Sequence, residues 1–241
     1  MMWIRFFSFL ALLLTSFALH SETRPSDTIK LMELVFEERE PGIEPYSTRI
    51  LLNESMMRLD DGRDDSDFIL FDRTTQQIHS FNHEDQTHLI INPEATNNLD
   101  FKIQFSTTQS ILADAPKVSG QSVIEHRFYA DSQLCKTSMN VPGLLPDAQR
   151  ALIEYDTRLM HQNLTTLGNI PAAMRNSCYM ANNYLQATAY LESGFPLQVT
   201  DQQGRQKKLM GFSEVAKHRE VLSTPQGYRV YYASMPEQSG Q

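Results

Sequence analysis

Residues 67–91 read DFILFDRTTQQIHSFNHEDQTHLII, and this stretch predicts the fold. It alternates three runs suited to β-strands, at 67–72, 77–82 and 87–91, with two turn-forming clusters, at 73–76 and 83–86. A spacing of about ten residues between successive strands is typical of an antiparallel meander. The first run is apolar at consecutive positions from Phe68 to Phe71, so we expect both of its faces to be covered.

The pattern of short strands and turns continues on both sides of this stretch. We predict further strands at 29–36, 49–52, 55–59, 101–105, 123–129, 134–139, 195–199, 208–212, 213–217 and 228–233. In the 101–105 strand, Phe101, Ile103 and Phe105 alternate with polar residues, which predicts one buried face and one solvent-exposed face.

Between the two groups of strands the apolar period becomes helical. After Pro146 and Asp147, a stripe at Ala148, Ala151, Leu152, Tyr155 and Leu159 predicts one helix. A second helix is predicted at 171–191, with proline in its first turn and a glycine just past its end. Strands, a helical pair and strands again predict an α+β fold, in which the helices pack against one face of a mostly antiparallel sheet.

The N-terminus has the pattern of a secretory signal peptide. A short charged start that ends at Arg5 precedes an uncharged run, 6–14, which is too short to anchor a spanning helix. We therefore expect a leader at 1–21, cleaved after Ala18 or Ser21, no stable transmembrane anchor after processing, and a single periplasmic domain at 22–241. An uncleaved membrane anchor is the alternative.

Charge and cysteine content narrow the function further. The formal net charge is −8 and no strong cluster of Lys and Arg stands out, which argues against a nucleic-acid partner.

The two cysteines, Cys135 and Cys178, form an even pair, which in an oxidising compartment predicts a disulfide. Two buried free thiols are the alternative.

Two parts of the chain resemble the LolA-like lipoprotein-carrier superfamily and its uncharacterised periplasmic relatives. One is the ladder of 56–60, 68–72, 77–82 and 87–91; the other is the ending, with Gly-Phe-Pro-Leu at 194–197 and Pro225, Gly227 and Tyr228 near the C-terminus. The resemblance implies a strongly curved antiparallel sheet, an open half-barrel, with the helical pair packed on its concave face. In the carriers that concavity holds the acyl chains of a lipoprotein.

From this resemblance we expect a non-enzymatic periplasmic protein that binds an apolar ligand, such as an acyl chain, a lipid or a lipidated peptide. The residues predicted to line the concave side are Phe68, Leu70, Phe81, Leu89, Ile91, Phe101, Ile103 and Phe105. A slip of one residue in the face assignment would invert that set. The alternative is an interaction module of the cell envelope whose helices fill the concavity, with a protein partner that the sequence does not identify.

Other side-chain clusters have plainer interpretations, and we predict neither a metal nor a cofactor. Five aspartates surround Gly62, but their spacing does not match a calcium loop, which favours a solvated turn. His79, His83 and His88 lie in one hairpin and lack a fourth zinc ligand, which favours exposed histidines.

A hydrolase is the third hypothesis, and it has weak support. The segment 211–215 is the nearest sequence to a nucleophile elbow, but it lacks the second glycine and the helix that should follow. Cys178 with His161 upstream could form a thiol–imidazole pair, although a bridged or buried cysteine is the commoner case.

Overall fold

A computed structural model of the chain describes residues 27–92 and 101–233. The predicted leader at 1–21 lies outside these residues. Twelve strands form one sheet in the described part of the chain, and the longer helical segments fall between the ninth and tenth strands. This is an α+β arrangement, as the sequence predicts. Within the same ranges, no helix combines the length and the apolar character needed to cross a bilayer.

The strands match the predicted series closely. In chain order they are β1 (Thr28–Arg39), β2 (Tyr46–Leu52), β3 (Met56–Asp60), β4 (Phe68–Asp72), β5 (Gln77–Asn82), β6 (Thr87–Ile91), β7 (Phe105–Ile111), β8 (Ile124–Ala130), β9 (Gln133–Val141), β10 (Phe195–Asp201), β11 (Gln206–His218) and β12 (Arg229–Tyr232). Two predictions are wrong. The residues 208–217 form a single strand and not two, and the strand predicted at 101–105 begins only at Phe105.

The sheet is mixed and is not closed. Its strand order is β12-β6-β5-β4-β3-β2-β1-β11-β10-β9-β8-β7. Neighbouring strands run antiparallel except β12 and β6, which are parallel. Because β12 and β7 each pair with one strand, the described sheet has two edges.

Short polar turns set the meander that the sequence predicts. After β4, the Asp72 carboxylate accepts hydrogen bonds from the backbone N–H groups of Thr74 and Thr75, at 2.8 and 3.0 Å. Gln76 then takes a left-handed conformation, with φ 60°, and the chain returns as β5. Asp, Thr and Gln at these positions therefore close a tight hairpin that brings Phe68 opposite Phe81.

The first predicted helix is confirmed. Helix α1 (Pro146–Thr166) has proline and Asp147 in its first turn and buries Ala148, Ala151, Leu152 and Tyr155. Arg73, in the β4–β5 turn, holds it to the sheet through Asp147 at 3.1 Å and Glu154 at 2.9 Å.

The second predicted helix, 171–191, is wrong as one continuous helix. The chain forms a 3-10 turn at Ala172–Met174, helix α2 (Ser177–Met180), a π-helical turn at Ala181–Leu185 and helix α3 (Ala189–Glu192). Asparagine side chains bond backbone groups along this segment, which is typical of helix ends and turns. Asn176 caps α2 by accepting from the Tyr179 N–H at 2.9 Å, and Asn182 donates to the Cys135 carbonyl at 3.3 Å.

The two faces of the sheet bury different cores. On the helix-bearing face, side chains such as Leu34, Ile50, Met57 and Phe71 pack against α1. On the opposite face, Leu31, Leu51, Phe68, Leu70 and Phe81 pack around Val221 and Leu222, from the 3-10 turn Arg219–Leu222. Strand β4 contributes to both cores, as its consecutive apolar residues predict.

Candidate functional site

A cavity of about 370 Å³ lies on the helix-bearing face, between α1, the 182–190 segment and strands β1, β9, β10 and β11. We call it the α1 cavity. Its apolar lining is Phe36, Leu152, Leu159, Met160, Ala187, Pro196 and Val199. Its charged and polar lining includes Glu38, Lys136, Asp156, Tyr190, Asp201, Arg205 and Lys207. The cavity is therefore amphipathic.

Irregular strand pairing borders the α1 cavity on two sides. The register of β1 against β11 shifts between Val35 and Phe36, and that of β10 against β9 shifts between Pro196 and Gln198. Such bulges bend a strand and redirect its side chains, and they are frequent next to functional sites. Here they place Phe36 and Pro196 in the cavity lining.

Asp156 and Tyr190 join the two helical walls of the cavity. The Tyr190 hydroxyl donates a hydrogen bond of 2.8 Å to Asp156 Oδ2. Both side chains remain partly accessible because they line the cavity, although protein surrounds them. Burial raises the pKa of Asp156, while the Tyr190 hydrogen bond and nearby Lys136 partly oppose that shift. Burial, followed by the Asp156 charge, raises the pKa of Tyr190 well above its usual value.

The backbone around Tyr190 is held by buried amides. Asn140 Nδ2 donates to the carbonyl oxygens of Tyr190 and Gly194, at 2.6 and 2.7 Å, and Gln149 Nε2 donates to the Leu191 carbonyl at 2.6 Å. Gly194 takes a φ of 128°, and a Cβ there would lie 2.8 Å from the Val141 carbonyl oxygen. Glycine is therefore required where α3 ends and meets β9.

Lys136, on β9, brings a cation to the cavity. Its Nζ lies 4.5 Å from the centroid of the Tyr190 ring. Among the described residues, no carboxylate oxygen lies within 4.0 Å of it. Burial lowers the pKa of Lys136 to about 8, against the attraction of Asp156 and Asp201.

The other two cations of the cavity have carboxylate partners. Arg205 Nε lies 2.6 Å from Asp201 Oδ2, and Lys207 Nζ lies 2.9 Å from Glu38 Oε1. The Thr48 hydroxyl also donates to Glu38, at 2.8 Å. Of the three cations that line the cavity, Lys136 therefore differs from the other two, because no carboxylate of the described residues lies within 4.0 Å of it.

None of the eight residues predicted to line the concave side lies in the α1 cavity. Phe68, Leu70 and Phe81 are buried with Val221 and Leu222, in the core on the face away from the helices. Leu89 is 36% exposed, and Ile91 packs at the margin of the helix-side core.

The three remaining residues lie near the broken helical segment. Phe101 and Ile103 precede β7 and pack with Leu167, Met180 and Tyr184 instead of forming an alternating strand. Phe105 is 40% exposed and borders a small cleft of about 20 Å³.

The predicted disulfide is confirmed. Cys135, on β9, and Cys178, in α2, are bonded, and their Cα atoms lie 5.0 Å apart. The bridge ties the helical segment to the sheet beside Lys136. It also removes Cys178 as a thiol nucleophile. The segment 211–215, the other hydrolase candidate, is the interior of strand β11 and not an elbow between a strand and a helix.

The aspartate and histidine clusters are more buried than predicted. The Asp60 side chain is fully buried and accepts from Arg49 and Arg58, at 2.7 and 2.6 Å, so the turn is not wholly solvated. His88 is only 6% exposed, and its Nε2 lies 2.9 Å from His79 Nδ1. His83 contacts the Tyr228 hydroxyl. No group of three or more potential ligands that could hold a metal ion occurs within the described ranges.

Sequence reasoning missed the α1 cavity because its polar residues are far apart in the chain. Asp156 and Tyr190 are separated by 34 positions, and each resembles an ordinary polar position of a helix. The one local signal is a carboxylate, Asp156, directly after a buried Tyr155 on the helix flank.

Comparison with known proteins adds little. No family model and no curated protein matches the chain. Similar solved structures include two crystal forms of PNGF-II, at 8% identity with a TM-score of 0.41 and at 9% identity with a TM-score of 0.38. Each match covers 85% of this chain, which spans 31% of the length of the PNGF-II chains. Similarity at this level assigns neither a fold family nor a function.

Proposed function

We propose that this chain is an exported, non-enzymatic binding protein of the LolA-like type, which holds the apolar part of a lipid-like ligand in the α1 cavity. The observation that carries the proposal is the cavity itself, about 370 Å³, which lies between helices and sheet and is partly open to solvent. Small-molecule sites usually measure about 300–1,000 Å³ and are lined mostly by apolar side chains with a few polar groups. The α1 cavity has this size, and its apolar side chains lie beside a larger number of polar and charged ones.

The helix placement supports the finer fold that a carrier needs. Helix α1 and the residues Tyr190 and Leu191 of α3 pack on one face of the sheet, and the opposite face closes over a separate core. In the proposed half-barrel, the concave face is the helix-bearing one. Helix α1 and the 177–192 segment then form the helical pair, and they leave the α1 cavity between them.

The disulfide supports export to the periplasm. Disulfides persist in oxidising compartments and are rare in the cytosol. A bridge between Cys135 and Cys178 is therefore compatible with the leader expected at 1–21.

The binding mode follows from the chemistry of the lining. An alkyl chain would bury its surface against Phe36, Leu152, Leu159, Met160 and Val199, which belong to β1, α1 and β10. Each Å² of apolar surface removed from water contributes about 25 cal/mol, so a medium-length chain suffices for measurable affinity. Met160 adds a flexible side chain that adapts to chains of different shape.

The alternative, an envelope interaction module, would need a filled concavity and an exposed docking surface. Strand β7 favours it, because all seven of its residues are exposed and one side of its backbone has no partner strand among the described residues. The open α1 cavity argues for the ligand-binding hypothesis instead.

Filling the cavity tests the proposal. Ala187 lines the cavity, so Ala187→Trp should block it, whereas Ala172→Trp makes the same change at an exposed 3-10 turn. We expect wild-type protein and Ala172→Trp to bind Nile red and to release it to decanol, and Ala187→Trp to lose most of this binding. Val199→Phe fills the cavity from the sheet side and replaces Ala187→Trp if that variant does not fold.

Two outcomes contradict the proposal. One is equal dye binding by the wild type and both cavity-filling variants, with circular dichroism showing that all are folded. The other is no binding of either probe by the wild type. Native mass spectrometry of protein purified from the periplasm is an independent check, and we expect it to detect a ligand carried from the cell.

A further inference from the structure

Lys136 has an environment that its neighbours in the cavity do not share. Arg205 and Lys207 each have a carboxylate within 3 Å, whereas Lys136 has none within 4.0 Å in the described residues. Its ammonium group instead lies over the Tyr190 ring, at 4.5 Å from the centroid.

We propose that Lys136 binds the oxyanion of an amphipathic ligand, a carboxylate or a phosphate monoester, whose alkyl chain fills the α1 cavity. This inference rests on the proposed function and specifies its ligand class: fatty acids and alkyl phosphates are bound in preference to alcohols and esters of equal chain length.

The partial burial of Lys136 in the cavity wall is the first argument. An ammonium group removed from water is costly unless a counter-ion or hydrogen-bond acceptors compensate it. The Tyr190 ring and the more distant charges of Asp156 and Asp201 provide part of this compensation, and a cation–π contact contributes about 0.5–2 kcal/mol. A ligand oxyanion that entered the cavity would complete it with a charge-assisted hydrogen bond.

The state of the neighbouring carboxylates is the second argument. Asp201 is engaged by Arg205 at 2.6 Å, and Asp156 Oδ2 accepts from Tyr190 at 2.8 Å. Glu38 is engaged by Lys207 and Thr48. Glu40, the fourth carboxylate of the lining, accepts from the Tyr46 hydroxyl at 2.6 Å. All four carboxylates are thus already hydrogen-bonded, and Lys136 is free to turn its protons toward the cavity.

The position of Lys136 is the third argument. It lies on β9 opposite α1, while the apolar lining of Leu159, Met160 and Val199 completes the same cavity. A ligand with one charged end and one apolar end satisfies both regions. A purely apolar ligand would cover the half-buried ammonium group without supplying an anion.

Matched ligands and matched variants test the inference. Decanoate, decyl phosphate and decanol share one chain length, and displacement of Nile red measures the affinity of each. Lys136→Met removes the cation at nearly constant size, and Lys136→Arg keeps it. Lys208→Met is the control. Lys208 is an exposed cation on β11, and it does not line the cavity.

We expect the wild type and Lys208→Met to prefer decanoate and decyl phosphate to decanol by about tenfold, the usual effect of one charge-assisted hydrogen bond. Lys136→Met should lose this preference and keep its affinity for decanol, and Lys136→Arg should restore part of the preference. If only one of the two anions is preferred, the head group is identified. Acetate and inorganic phosphate should displace no dye, since they lack the chain.

The outcomes separate the two proposals. Equal binding of the anions and decanol by the wild type, or an unchanged preference in folded Lys136→Met, overturns the inference and leaves the carrier function standing. Failure of all three amphiphiles to bind overturns the carrier function as well.

Discussion

The Tyr190 hydroxyl lies 2.8 Å from Asp156 Oδ2 and so connects α3 to α1 across the α1 cavity. The two helical walls of the cavity are therefore joined through a titrating group, the Asp156 carboxyl. Burial raises the pKa of Asp156, and the bond from Tyr190 opposes that rise by stabilising the carboxylate.

Tyr190→Phe should therefore destabilise the protein at neutral pH. The change removes the hydrogen bond that Tyr190 donates to a poorly solvated carboxyl group, which typically costs about 1–2 kcal/mol. The midpoint of urea unfolding, followed by circular dichroism, should fall accordingly. Tyr232→Phe is the control, because Tyr232 is 72% exposed on the edge strand β12. If both variants unfold at the same urea concentration, the Asp156–Tyr190 bond does not contribute to stability.

Lys136→Met should change how stability depends on pH. The pKa of Lys136 is about 8 in the folded protein, below the value of about 10.4 for an unfolded chain. Between these two values the unfolded chain binds more protons, so wild-type stability gains a rising contribution as the pH increases. Below about pH 8 both states are protonated and the burial cost of the ammonium group is fully present.

The difference in unfolding free energy between Lys136→Met and the wild type reports this effect, because groups that titrate alike in both proteins cancel. We expect the variant to be the more stable by up to about 3 kcal/mol near pH 7 and the difference to shrink toward about pH 10. The charged groups that attract or repel Lys136, namely Asp156, Asp201 and Arg205, stay in place in both proteins. A difference that is constant over this range would mean that Lys136 has a normal pKa.

The sequence predicts the strands and α1 better than it predicts the cavity. The bounds of β5 and β6 are predicted to the residue, because polar turn clusters delimit both strands. The face of Phe68 and Leu70 could not be predicted, because β4 is buried on both sides and the two-residue period carries no information there. The break in the second helix depends on bonds from asparagines to distant backbone, such as Asn182 to Cys135, which local pattern does not reveal. The cavity combines residues from seven elements, and only the folded chain brings them together.

Replacing both cysteines by serine should lower the melting temperature. The bridge spans 43 positions, and closing such a loop restricts the unfolded chain by up to about 4 kcal/mol. For a chain of this size each kcal/mol shifts the midpoint by about 2–4 °C, so we expect a loss of about 10 °C by calorimetry. Treatment of the wild type with dithiothreitol should reproduce the loss, and it should leave the double variant unchanged. An unaltered wild-type melting curve in the reductant would contradict the bridge.

Asp60→Ala should be the most damaging of the substitutions in the acidic turn. The carboxylate of Asp60 is fully buried between Arg49 and Arg58. Its removal takes away the partner that both guanidinium groups share, and leaves Arg49 with Asp64 and Arg58 with backbone carbonyl groups. Breaking a buried ion pair in this way costs about 3–5 kcal/mol. Asp61→Ala, one residue further, breaks an exposed pair with Arg63 and should leave the urea midpoint close to that of the wild type. Equal effects of the two substitutions would restore the interpretation of this turn as solvated throughout.

The histidine pair on the opposite face should make the protein sensitive to acid. His79 Nδ1 and His88 Nε2 lie 2.9 Å apart, and the His88 ring stacks on Phe81 at 4.3 Å between centroids. Burial lowers the pKa of both histidines, and for His88 the charge of His79 lowers it further. Asp72 acts in the other direction on His79. Two protonated rings would lose their mutual hydrogen bond and repel each other.

The sign of the effect follows from the direction of these shifts. Below about pH 6.5, the unfolded chain binds protons that the folded protein excludes, so stability falls as the pH decreases. Above that value the stability contribution of the neutral pair is fully present. The double variant His79→Gln, His88→Phe should lose this part of the pH dependence, so its unfolding free energy relative to the wild type should rise between about pH 6.5 and pH 5. At about pH 8, the difference in unfolding free energy between the variant and the wild type measures the effect of the substitutions that does not depend on protonation. If the unfolding free energies of the two proteins depend on pH in the same way over the acid range, the folded protein protonates these histidines without cost. That result would contradict the effect expected from two ring nitrogens 2.9 Å apart.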